Sequence, residues 1–137
     1  MKQNEQIVTD FFRDMSAKGM QQAVKGYGTD DFTWWINGLG DLTDQIPKLS
    51  EAFAKHFDER QMLINPIRMI SDGDFVAVEA KSGSRFRNGD AYENAISYWI
   101  TFSGTKISSL HEYLDNVYGT EALAPILADV YSDAQAN

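Results

Sequence analysis

At 137 residues, with 43% hydrophobic and 12% aromatic content, the chain suits one globular domain with a real core and not a disordered segment. A formal net charge of -8 speaks against holding nucleic-acid phosphates or an anionic membrane by electrostatics. With no cysteine, disulfides, thiolate metal sites and cysteine nucleophiles are all excluded.

The opening MKQNEQIVTD has no apolar run of signal-peptide type, and no stretch reaches the ~20 apolar residues of a membrane span. A cytoplasmic protein is the expectation. Ile7, Val8, Phe11, Phe12 and Met15 recur at helical spacing, so residues 4–17 read as an amphipathic helix closed by Gly19. A short helix follows over 20–27, with Ala23, Val24 and Tyr27 inward. Residues 32–36, Phe-Thr-Trp-Trp-Ile, are aromatic and β-branched and read as a strand. Thr43 and Asp44 can cap a helix to about residue 58, with Ile46, Leu49, Phe53 and Phe57 on its buried stripe and Pro47 early, where proline is tolerated.

From Arg60 the period changes. Strands are expected over 61–71, 75–87, 92–102 and 107–117, separated by Asp72-Gly73-Asp74, Asn88-Gly89-Asp90 and a turn at Gly104. A last short helix is expected around 124–131, then a polar tail from about 132. Helices first and a long antiparallel meander after give an α+β fold in a single domain over 1–137. A strongly twisted sheet of this length curls into a cone-shaped barrel. The three early helices then cover its concave side and leave a hydrophobic pocket. The other sheet face is expected to carry Trp34, Val76, Val78, Trp99, His111 and Tyr113. That is too apolar for water, so a homodimer through this face is expected.

The last hairpin, YENAISYWITFSGTKISSLHEYLD, holds the chemical clue. Alternate residues of a strand share a face, so Glu112 lies in phase with Leu110 and Leu114 and opposite His111, Tyr113 and Asp115. An acid among leucines on a covered face is costly unless it is paired or used. On neighbouring strands the same parity groups Asn94, Ile96 and Tyr98, then Phe75, Ala77, Glu79 and Lys81, then Trp35 and Asn37. These groups are expected to face one apolar cavity, a small-molecule site with a few convergent polar groups. Two carboxylates in low dielectric cannot both ionise cheaply, so one of Glu79 and Glu112 should titrate near neutrality as an acid or base. Lys81 would hold the other ionised, and Tyr98 or Asn94 would hydrogen-bond a carbonyl or enolate oxygen.

The element order, with Tyr92, Asn94, Tyr98, Lys106, Ile107, Glu112, Tyr113 and Asp115 in the last hairpin, resembles the nuclear transport factor 2-like superfamily. Within it the chain is similar to the SnoaL-like and ketosteroid isomerase-like group. SnoaL-type polyketide cyclases use an aspartate on the last strand as general acid/base, and the resemblance implies that role for Glu112. The chain also resembles limonene-1,2-epoxide hydrolase at Trp35-Ile36-Asn37 and Glu112-Tyr113. Its Glu79-Ala80-Lys81 stands where that family has an Arg-x-Asp pair, with the charges in reverse order. Ketosteroid isomerases place a tyrosine where this chain has Phe11 and Phe12, and a base where it has Asn37.

Together these features point to an enzyme without cofactor or metal. It would act on a small, mostly apolar molecule by general acid/base chemistry, as an isomerase, polyketide cyclase or epoxide hydrolase does. The catalytic candidates are Glu112, Glu79 and Tyr98. Trp35, Asn37, Lys81, Asn94, Ile96 and Leu114 are candidates for binding substrate. The alternative is a non-catalytic dimer of the same fold that binds a small ligand.

Overall fold

The computed structural model describes residues 2–136, with side chains through Tyr131. Two helices come first, α1 (Gln3–Lys18) and α2 (Met20–Tyr27). Val8, Phe11, Phe12 and Met15 form the buried stripe of α1, at the spacing that puts them on one helical face. After β1 (Gly28–Ile36) and the short β2 (Gly40–Asp41), a 3-10 turn at Thr43–Gln45 leads into α3 (Ile46–His56), which has Pro47 in its first turn. Then come β3 (Ile64–Asp72), β4 (Phe75–Ser82), β5 (Ser84–Arg85), β6 (Ala91–Tyr92), β7 (Ala95–Ser103) and β8 (Lys106–Leu114). Helices α4 (Asn116–Ala122) and α5 (Ala124–Ala136) end the chain.

The main sheet has the order β2-β1-β8-β7-β4-β3. Every pairing is antiparallel except β1 with β8, which run parallel. The fold is α+β, as expected, with a mixed, curved sheet. Among the described residues the sheet stays open, with β2 and β3 as its edges, and does not close into a barrel.

Among the boundaries that differ from expectation, three bear on the site, while β1 begins earlier, at Gly28, and β3 later, at Ile64. The strand expected over 75–87 breaks after Ser82, and a separate two-stranded ribbon forms from β5 and β6. The strand expected over 92–102 pauses at Asn94, whose buried side chain bonds Tyr92 and the backbone of Asp115. The strand expected to reach residue 117 stops at Leu114, because the Asp115 carboxylate accepts the Tyr118 N–H at 3.1 Å and caps α4. Helix α5 runs to Ala136. The polar side chains expected from about 132 lie outside the described residues.

Burial alternates along β4, β7 and the second half of β1, and along β8 beyond the bulge that follows Ile107, and it fixes which face is inside. In β4 the buried set is Val76, Val78, Ala80 and Ser82. In β7 it is Ile96, Tyr98, Ile100 and Phe102, in β1 Phe32, Trp34 and Ile36, and in β8 Ile107, Leu110 and Glu112. Trp34, Val76 and Val78 are therefore core residues, which corrects their expected place on the outer face. The outer face shows Ile70, Phe75, Trp99, His111 and Tyr113, with Trp35 half-buried among them. Helix α1 packs across β3 and β4 on the inner side, and α5 packs on α3. That second contact is pinned by Asp129, whose carboxylate meets His56 Nε2 at 2.7 Å and Lys55 Nζ at 3.2 Å. No helix of the described residues is long and apolar enough to cross a membrane.

Candidate functional site

An apolar cavity of about 170 Å³ lies between the concave side of the sheet and residues of all five helices. That is close to the ~150 Å³ of a dry cavity that admits a benzene-sized guest. Met15, Met20, Leu49, Phe53, Ile96, Leu114, Ile126 and Leu127 supply much of its wall. Its exposed lining residues, Gly38, Leu39 and Thr120, mark the rim. There the turn after β1 meets α4. Gly38 has φ +86°, and a Cβ added to it would stand 2.6 Å from Asn116 Nδ2, so only glycine fits this close approach.

Glu112 is the charged residue that faces this cavity, and it is 7% exposed. Strand β8 places it between Ile36 of β1 and Tyr98 of β7, each directly opposite in the register. Trp34 Nε1 donates to Glu112 Oε1 at 3.0 Å. No protein donor reaches the second carboxylate oxygen among the described residues. Burial pushes the Glu112 carboxyl up to about 7, and the Trp34 hydrogen bond opposes that rise. A group titrating there is present in both forms at neutral pH, as a general acid or base needs.

Two tyrosines accompany it. Tyr98 is 1% exposed, its ring lies 4.8 Å from that of Phe12, and its hydroxyl has no protein hydrogen-bond partner among the described residues. Burial, then the Glu112 charge, pushes the Tyr98 pKa well above the usual phenol range, so the hydroxyl keeps its proton. Tyr98 is therefore a hydroxyl donor beside a carboxyl. Tyr92 stacks on Tyr118 with ring centroids 5.4 Å apart, and its oxygen accepts from Asn94 Nδ2 at 2.9 Å. Burial pushes Tyr92 up to about 12 against the effect of that hydrogen bond.

The structure sorts the residues expected at the site. Glu112, Tyr98, Ile96 and Leu114 line the cavity. Asn94 is buried beside it and acts on the protein itself, holding Tyr92 and the start of α4. Asn37 is also spent on the backbone: its side-chain oxygen accepts the Leu114 N–H at 3.2 Å, and its own N–H donates to the Glu112 carbonyl. It clamps β1 to β8 and does not reach the cavity.

Glu79, Lys81 and Trp35 are corrected in place. Register pairs Glu79 with Ser97, and Ser97 with Tyr113, so Glu79 shares the outer face with Tyr113. Glu79 is exposed and forms an ion pair with Arg68. Lys81 is exposed on the same face. Trp35 packs on His111 and Tyr113, with centroids 5.2 and 5.4 Å away. The pair of carboxylates expected in one cavity is a single carboxylate.

Trp34 and Tyr92 are the site residues that the sequence reading passed over. Thr33 between Phe32 and Trp34 carried the signal for Trp34, since a polar residue there turns Phe32, Trp34 and Ile36 inward. Among the described residues no group of three or more His, Cys, Asp or Glu stands together as a metal site.

No protein-family model and no curated protein matches the chain. Solved structures do. An NTF2-like protein of unknown function from Burkholderia pseudomallei K96243 superposes with a TM-score of 0.71 at 17% identity, covering 92% of this chain and 98% of that one. A protein with a ketosteroid isomerase-like fold from Catenulispora acidiphila DSM 44928, in complex with trimethylamine, gives 0.63 at 17% identity over 78% and 83%. A candidate SnoaL-like polyketide cyclase from Jannaschia sp. CCS1 gives 0.65 at 13% identity over 93% and 91%. The chain has the nuclear transport factor 2-like fold that these proteins share.

Proposed function

We propose that this protein is a cofactor-independent enzyme that moves a proton on a small, mostly apolar molecule, with Glu112 as the general acid/base. The supporting observation is the position of Glu112: a nearly buried carboxyl with one donor, one unclaimed oxygen and an open apolar cavity in front of it. Tyr98, opposite it in the register, donates to a substrate oxygen and supports charge that develops there. Trp34 holds the carboxyl in place. With Glu79 and Lys81 on the outer face, the two-acid arrangement that epoxide hydrolysis would need has no counterpart in the cavity. The reading narrows to an isomerase or a polyketide cyclase, in keeping with fold neighbours of the cyclase and isomerase-like kinds.

A second reading, a non-catalytic ligand-binding protein, is favoured by the same loss of the second acid. Glu112→Gln separates the two. An enzyme loses about 10²–10⁴-fold in turnover while still binding its ligand. A binding protein has no turnover with any cyclisation or isomerisation substrate that occupies the cavity, in either form. Wild-type turnover that survives the substitution sinks the assignment of Glu112.

We further propose that a second copy covers the outer face. Ile70, Phe75 and Trp99 are 74%, 63% and 58% exposed there, and Arg68 and Glu79 on the face neutralise each other in an ion pair. Such a patch suits a copy of itself. Sedimentation should show a dimer that Trp99→Lys converts to a monomer with the cavity intact. A wild-type monomer at micromolar concentration refutes it.

A further inference from the structure

The charge around the cavity is one-sided. The two segments that rim it are residues 37–47 and 115–127, and neither contains lysine or arginine. They carry Asp41, Asp44, Asp115 and Glu121, all exposed. The lysines of α3, Lys48 and Lys55, border a separate surface depression with Glu51 and Asp129. Inside, Glu112 is the one charged lining residue among those described, and it has no cationic partner. The titratable groups facing it are Tyr98 from β7 and Tyr92 from β6, both held as neutral hydroxyls. Trp34 comes from β1, and the helices offer apolar groups such as Met15, Phe53 and Ile126.

A buried carboxylate with no counter-ion is costly unless it takes a proton or meets a cation. Among the described residues the protein supplies no cation to this cavity. Its rim attracts positive charge and repels negative charge. Trp34, Phe53, Tyr92 and Tyr98 put aromatic rings in the same cavity wall, a lining that tolerates an organic cation.

We infer that the cavity takes a small organic cation, an alkyl- or arylalkyl-ammonium. Its charged head meets the unclaimed oxygen of Glu112, and its apolar body fills the space toward Phe53 and Ile126. This rests on the reading of the cavity as a small-molecule site. It adds that the molecule carries a basic nitrogen. In such a pair Glu112 stays a carboxylate, the form a general base requires.

Three probes of like shape test this by calorimetric titration: benzylamine, benzyl alcohol and benzoate. At about pH 8 benzylamine should bind at least about tenfold more tightly than benzyl alcohol, and benzoate should not bind. The preference for the amine should vanish in Glu112→Gln. In the wild-type protein it should also weaken toward about pH 5, where Glu112 takes a proton while the amine stays charged. The pH series needs no variant, so misfolding of the substituted protein cannot mask the answer. Equal or tighter binding of benzyl alcohol, or an amine preference that survives Glu112→Gln or is indifferent to pH, overturns the inference and leaves the small-molecule site standing. Failure of all three probes to bind counts against both.

Discussion

Between about pH 4 and pH 8 the wild-type protein should lose about 3 kcal/mol of stability that the Glu112→Gln variant keeps. In the folded protein the Glu112 carboxyl titrates at about 7, against an ordinary value of 4.5. Folded chains therefore bind more protons than unfolded ones across that interval, and stability falls as pH rises. The contribution is fully present below about 4.5 and is lost as pH passes through about 7. Gln keeps the size of the side chain and an oxygen to accept from Trp34, but it has no proton to lose. Urea unfolding of both proteins at several pH values measures the difference, and the other carboxylates cancel in the comparison. Parallel curves would mean that Glu112 is wetter or better partnered than its surroundings indicate. A wild-type protein least stable at alkaline pH would also show what the acid costs when its cavity is empty.

Trp34→Ala should be among the most damaging single substitutions in the chain, at about 3–5 kcal/mol. Trp34 is 1% exposed and packs against the rings of Phe11 and Phe32, with centroids 6.2 and 6.1 Å away. Its removal leaves a void in the core and takes away the hydrogen bond that Trp34 donates to the Glu112 side chain. Trp34→Phe separates these effects. The ring body largely remains, so the loss should be smaller, about 1–3 kcal/mol for the missing donor. Because the Trp34 hydrogen bond lowers the Glu112 titration point, its loss should move that point upward. Carboxyl-resolved NMR titration of the Phe variant reads this directly. An unchanged titration would show that the hydrogen bond does not hold the charge.

Much of this was legible in the sequence, where the pattern had one meaning. The stripe Val8, Phe11, Phe12, Met15 specified α1, and the leucines flanking Glu112 gave the inward acid. Parity within each strand was also right. What a single strand's alternation does not contain is the phase between strands, which a register shift of one residue inverts. Glu79 and Lys81 were grouped with Phe75 and Ala77 correctly, but that group faces outward, as its charges would favour. Trp34 and Trp35 are adjacent aromatic residues, and only the neighbouring Thr33 distinguishes them. Asn37 and Asn94 looked like ligand-binding amides because nothing in a sequence shows which backbone groups lack partners. The structure spends both on strand ends. Helix α4 was missed because its cap, Asp115, sits where the strand pattern seemed to continue.

The parallel pairing of β1 with β8 joins the beginning of the sheet to its end. Trp34 and Glu112 stand 78 positions apart in sequence yet share a hydrogen bond. Hairpin β7–β8 can form locally, but the acid remains in water until the amino-terminal strand closes over it, a contact that carries the entropy of a long loop. The raised titration point of Glu112 thus depends on a long-range contact, and the candidate site is complete only when the two ends of the domain have met.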